Sequence, residues 1–107
     1  MGLLGSIFGS VQKNMLSRFG IHTPRDAVRV LENIAERYYG SDVYEDQSAR
    51  QASNTVRGIW RWLMSLSMKP GREGDEAKSA IDALKRSPYR CKQFFAECGI
   101  MQGDQEE

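Results

Sequence analysis

Before Asp26 this chain has no acidic residue, and in 107 residues it has one histidine, two cysteines and three prolines. Each scarcity excludes something. His22 stands alone, so Cys91 and Cys98 have no partner set at zinc-ligand spacing and no histidine placed to activate a nucleophile. If both cysteines lie on one helix, they stand about 10.5 Å apart along its axis at a ~1.5 Å rise per residue. A disulfide needs Cα atoms within about 7 Å. Reduced thiols are therefore expected, which suits a cytoplasmic location. No run approaches the ~18 apolar residues of a membrane span. The N-terminus lacks the basic start of a secretory signal, and Gly5, Ser6, Gly9 and Ser10 interrupt its apolar stretch. There is no Walker loop and no G-x-G-x-x-G. No carboxylate pair stands apart from ordinary solvated helix faces. These absences argue against an enzyme, and they imply no cofactor and no metal.

What is present reads as one folded domain. The composition is 40% hydrophobic and 27% charged, which is globular rather than disordered. A chain of this length can bury roughly 65% of its unfolded surface. The net charge is +1, too small to draw the whole molecule to a polyanion. The charge is segregated, however. Lys13, Arg18, Arg25 and Arg29 face only Asp26 in the first thirty residues. Residues 31–50 are acidic, with Glu32, Glu36, Asp42, Glu45 and Asp46 against two arginines. Residues 51–72 hold Arg57, Arg61, Lys69 and Arg72 with no acid, and residues 73–107 are acidic again. Local patches can act where the total cannot.

The apolar spacing is helical throughout, and no stretch alternates with period two long enough to make a strand. A first segment runs from about Gly2 to Arg18, with Leu4, Phe8, Val11, Met15 and Phe19 on one face. Leu3, Ile7 and Leu16 widen that face, and Gly20 is a C-terminal stop. Gly5 and Gly9 each cost this helix roughly 1 kcal/mol relative to alanine, so it is expected to form against a partner surface. A second segment opens with Thr23 as cap and Pro24 at the first helical position, carries Asp26 in its first turn, and ends at Gly40. A third runs from Asp46 to Met68 with Ala49, Ala52, Val56, Ile59, Trp60, Leu63 and Leu66 inward. Residues 69–74, with one proline and two glycines, read as a loop. A fourth begins with Asp75 as its cap and ends near Arg86. Ser87-Pro88 opens a fifth by the same cap-then-proline logic, with Cys91, Phe94, Phe95 and Cys98 inward and Gly99 closing it. The expected fold is all-α, a single bundle of four to five short helices. The expected organisation is an amphipathic N-terminal arm over residues 1–20, the bundle over 21–99 and a frayed acidic tail over 100–107. Segments two, three and five should supply most of the core.

Candidate functional residues fall in three groups. Met1-Gly2-Leu3-Leu4-Gly5-Ser6 fits the M-G-x-x-x-[ST] pattern for myristoylation of Gly2. One myristoyl chain binds membrane only marginally, with K on the order of 10⁴ M⁻¹. The second signal would be the face of Leu3, Leu4, Ile7, Phe8 and Val11, with Lys13 and Arg18 meeting headgroups. The same residues also describe an ordinary N-terminal helix docking on its own domain. Arg50, Arg57 and Arg61 are spaced seven and four apart, on one helical face, where they could track the phosphates of duplex RNA or DNA. The same spacing describes a solvated outer face. Trp60 and Trp62 point about 200° apart at ~100° per residue, so Trp62, with Met64 nearby, belongs to a second face. That face suits a protein contact or a membrane interface, or a second packed surface.

Size, mixed charge, reduced cysteines and a lipid-competent leader resemble, at the level of architecture, the matrix-type and accessory proteins of viruses. The resemblance implies a non-enzymatic peripheral membrane or assembly protein, with oligomerisation compatible. A helical nucleic-acid-binding module and a small protein-binding adaptor or inhibitor are the alternatives.

Overall fold

The structure, a computed structural model, describes residues 15–101. Residues 15–18 are helical, and four helices follow: α1 (Pro24–Tyr38), α2 (Gln47–Ser67), α3 (Arg72–Lys85) and α4 (Tyr89–Glu97). No strand occurs among the described residues. The fold is all-α, as the spacing predicted. The candidate residues Gly2, Leu3, Leu4, Ile7, Phe8, Val11 and Lys13 lie outside the described residues, as do 102–107 of the tail.

Local chemistry sets most helix ends. Thr23 caps α1: its hydroxyl accepts from the Asp26 amide, and the Asp26 carboxylate accepts from the amides of His22 (3.0 Å) and Thr23 (3.1 Å). This reciprocal box satisfies amide groups that the first helical turn leaves free. The His22 amide first, then the Thr23 amide and Arg29, hold the Asp26 carboxyl below its usual range, against desolvation, which is second in size to His22 alone. Asp46 caps α2 by accepting from Ser48 and Ala49. Gly20 and Gly99, both at positive φ, close two helical segments with the same paired motif. Ile21 donates to Leu16 and Gly20 to Ser17; Ile100 donates to Phe95 and Gly99 to Ala96. A left-handed residue is needed at that position, and glycine adopts it without a Cβ penalty. The residue after each glycine, Ile21 or Ile100, is buried together with Leu16 or Phe95.

Three boundaries differ from the sequence reading. The fourth segment starts at Arg72, capped by Gly71, so Asp75 lies in the first turn and is no cap. The reason is Gly74. A Cβ there would overlap the Lys69 carbonyl oxygen and sit 2.9 Å from its carbon. Glycine lets the first turn of α3 press against the end of α2, so it marks a close helix approach and not a loop. Ser87 does not cap α4, whose N-cap is Pro88 with no side-chain bond. Its hydroxyl donates instead to the Glu32 carboxylate at 2.7 Å, across to α1. Finally, Ile100 and Met101, assigned above to a frayed tail, are buried in the core. Met101 holds a left-handed backbone (φ 61°), a conformation that surrounding contacts must maintain.

Helix α1 packs against each of the other three, and α2 also packs along α3. The largest fully buried side chains are Phe94 and Phe95 of α4, Leu31 of α1, Val56, Ile59 and Leu63 of α2, Leu84 of α3, and Cys91. Segments two, three and five thus supply most of the core, as expected. Truncating either phenylalanine to alanine would cost about 3–5 kcal/mol. Small residues on α3, Ala77 and Ala80, let it lie close to its neighbours. Trp60, predicted inside, is half-buried at the edge of the core, and so is Trp62.

Candidate interaction face on α2

Helix α2 buries Val56, Ile59 and Leu63 on one side. Its opposite side carries the arginine stripe. At ~100° per residue, positions 50, 57, 61, 64 and 68 fall within an arc of about 60°. All five are exposed: Arg50, Arg57, Arg61, Met64 at 40% and Met68 at 84%. The structure therefore extends the predicted stripe into two methionines at the C-terminal end. Met68 was missed above, although its spacing of seven from Arg61 and four from Met64 was available in the sequence. Trp62, paired with Met64 in the sequence reading, is on a different side of the helix and rests against the core.

The arginines make no direct ion pair among the described residues, although Arg57 borders a shallow pocket with Asp42 and Glu97. Arg50 donates to the Tyr44 carbonyl, and Arg57 to the Asn54 side-chain oxygen. Both acceptors are neutral. None of the three arginines forms an ion pair with a described carboxylate. Arg29 and Arg90, in contrast, pair with Asp26 (3.5 Å) and Glu36 (3.3 Å). Arg90 thus serves the α1–α4 contact.

One flank of the α2 face carries the end of the first segment. Leu16 is buried, and the Met15 side chain lies over Gly58, so close that a Cβ on Gly58 would meet the Met15 methyl at 2.6 Å. Arg18 and Phe19 are exposed. Met15 therefore joins the bundle at Gly58, about 60° round α2 from the nearest edge of the arginine stripe. Within the first segment's stripe, Met15 and Leu16 turn toward the protein's own interior while Phe19 stays outside.

The thiols are buried and free. Burial, and then the nearby Glu36 carboxylate, pushes the Cys91 thiol up to about 11. Its sulfur lies 3.8 Å from the Glu32 carbonyl oxygen and 3.7 Å from Glu36. Burial raises Cys98 too, against smaller opposing effects of Ser53 and Arg57. Neither has the lowered pKa of a reactive nucleophile. A groove of about 1100 Å³ runs between α1 and α3, bordered by Arg25, Arg29 and Arg72 on one hand and Glu32, Asp75 and Glu76 on the other. Its two signs of charge are interleaved, and its residues are about 45 positions apart in sequence, so no local motif announced it.

No helix among the described residues is long and apolar enough to cross a membrane. The chain matches no family model, and no curated protein or solved structure is significantly similar to it.

Proposed function

We propose that this protein is a non-enzymatic peripheral membrane protein of the assembly or accessory kind, attached through Gly2 and the apolar face of residues 3–11. The observation that carries the reading is the seat of Met15 on Gly58. It brings the root of the N-terminal segment to the flank of a face whose arginines form no ion pair with a described carboxylate. An apolar anchor and a basic surface are the two signals that stable membrane attachment requires. Lys13 and Arg18 follow the anchor in sequence and add two basic charges.

This arrangement favours a membrane over a nucleic acid. A membrane surface responds to summed charge, and neutral partners leave that sum intact. Tracking duplex phosphates needs three guanidinium groups placed in register, and two of the three are held by Tyr44 and Asn54. The test is flotation of the chain from a eukaryotic expression host, against Gly2→Ala and Leu4→Glu/Phe8→Glu. Both variants should lose flotation. Equal flotation of all three forms would remove the reading.

A further inference from the structure

We infer that the exposed face of α2 is a second, independent membrane-contacting surface, specific for anionic phospholipid. In this contact Met64 and Met68 enter the interfacial layer, and Arg57, Arg61 and Lys69 meet lipid phosphates. The inference deepens the membrane reading and rests on it.

Three features of α2 point this way. The first is order along the axis. The acids Asp42, Glu45 and Asp46 gather at the N-terminal end, and no acid follows until Glu73. The helix spans Gln47–Ser67, so about 30 Å separates its acidic end from its Met68–Lys69 end at ~1.5 Å per residue. An anionic surface would repel one end and attract the other, which orients the whole bundle. The second is the chemistry of the C-terminal end. Two flexible apolar side chains are exposed where arginines and a lysine surround them. Methionine adapts to irregular apolar surroundings, and long basic side chains can rest their stems on that layer while the charge stays at the headgroups. The third is the neighbouring acid. Glu73, Asp75 and Glu76 open α3 close to this end, but Asp75 and Glu76 border the groove between α1 and α3 together with Arg25, Arg29 and Arg72, away from the α2 stripe.

The experiment uses the full chain made in bacteria, where Gly2 stays bare, with phosphatidylcholine vesicles that contain or lack phosphatidylserine. The bare chain should sediment with the anionic vesicles only, and less so as salt rises. Arg57→Ala/Arg61→Ala should lower partitioning on the order of 25-fold, about five-fold per arginine. Met64→Gln/Met68→Gln should lower it several-fold, and both variants should keep the wild-type melting curve. The inference is overturned if the bare chain binds neither vesicle, or if both folded variants bind as the wild type does. It is also overturned if the arginine variant loses duplex RNA binding while vesicle binding persists. Leu4→Glu/Phe8→Glu separates the two proposals. Loss of binding in that variant alone leaves the anchor and removes the α2 contact. Loss in the α2 variants alone keeps the α2 contact and shows that the unacylated leader does not bind by itself, while flotation from the eukaryotic host decides the acylated anchor.

Discussion

Gly74→Ala sets two physical effects against each other. Gly74 lies inside α3, and intrinsic propensity favours alanine there by about 1 kcal/mol. The structure opposes it. The new Cβ would overlap the Lys69 carbonyl oxygen, and it would lie 2.9 Å from the Lys69 carbonyl carbon and 3.4 Å from the Leu66 carbonyl oxygen. These are backbone atoms at the end of α2, where Lys69 itself donates to Leu66 at 2.9 Å. They cannot rotate aside as a side chain would, so α3 must back away from α2. Overpacking of this kind costs about 1–3 kcal/mol, and a clash with backbone belongs at the upper end. Net of the propensity gain, the variant should lose about 1–2 kcal/mol. For a domain of this size that is a melting temperature lower by roughly 4–16 °C. Thermal unfolding followed by circular dichroism measures it, with Ser79→Ala, an exposed site on the same helix, as the propensity control. The control should melt at or slightly above the wild type. If Gly74→Ala did the same, the close approach of α3 to the end of α2 would be refuted.

Two further outcomes follow from the contact between α1 and α4. Cys91 holds its proton more tightly in the folded chain than in the unfolded one, so the stability it contributes is complete below about pH 9 and drains as pH rises toward about 11. The urea midpoint should fall across that window, Cys98 adding in the same direction, and Cys91→Ala should flatten the fall; an unchanged slope would refute the burial argument. Ser87→Ala removes the hydroxyl that donates to Glu32, at a cost of about 1–2 kcal/mol for a half-exposed charged acceptor. A double-mutant cycle with Glu32→Ala should return a clear coupling energy, whereas additive losses would show that the bond contributes nothing.

What could be read from the sequence was the chemistry that acts over a few residues. Thr23-Pro24 with Asp26, Asp46 before α2, and Gly20 and Gly99 after helical segments all satisfy nearby amides or carbonyls, and each lies where local rules put it. The features that escaped depend on distant partners. Gly74 looked like loop punctuation because its Cβ is excluded by the Lys69 carbonyl, five residues upstream in the connection, which only the tight α2–α3 packing brings there. Ser87 had the grammar of a cap, but an acceptor 55 residues away won its hydroxyl. Ile100 and Met101 follow a helix stop and precede an acidic stretch, which reads as a tail; only the packed bundle offers them a cavity. For the candidate site, the arginine spacing was legible. The neutrality of its partners was not, because the acceptors Tyr44 and Asn54 are fixed by where α2 begins and how its side chains settle.

The distribution of ion pairs gives the α2 face its meaning. The chain carries nearly equal numbers of acids and bases, 14 and 15, enough to neutralise every arginine if folding required only that. Instead, Asp26 and Glu36 pair with Arg29 and Arg90 around α1, the helix against which every other helix packs. Of the α2 arginines, Arg50 and Arg57 donate to neutral acceptors, and all three are exposed. Surface ion pairs contribute little to stability, so leaving these arginines unpaired costs the fold little. It leaves a basic stripe that runs to a methionine-bearing end of α2, with the root of the N-terminal segment seated at mid-helix on Gly58 and the acids before α2 about 30 Å from Met68. A purely structural surface would have no need to sort its charges along one axis. A protein that must lie on a negatively charged surface in one orientation would, and that sorting depends on Arg57 and Arg61 making no ion pair.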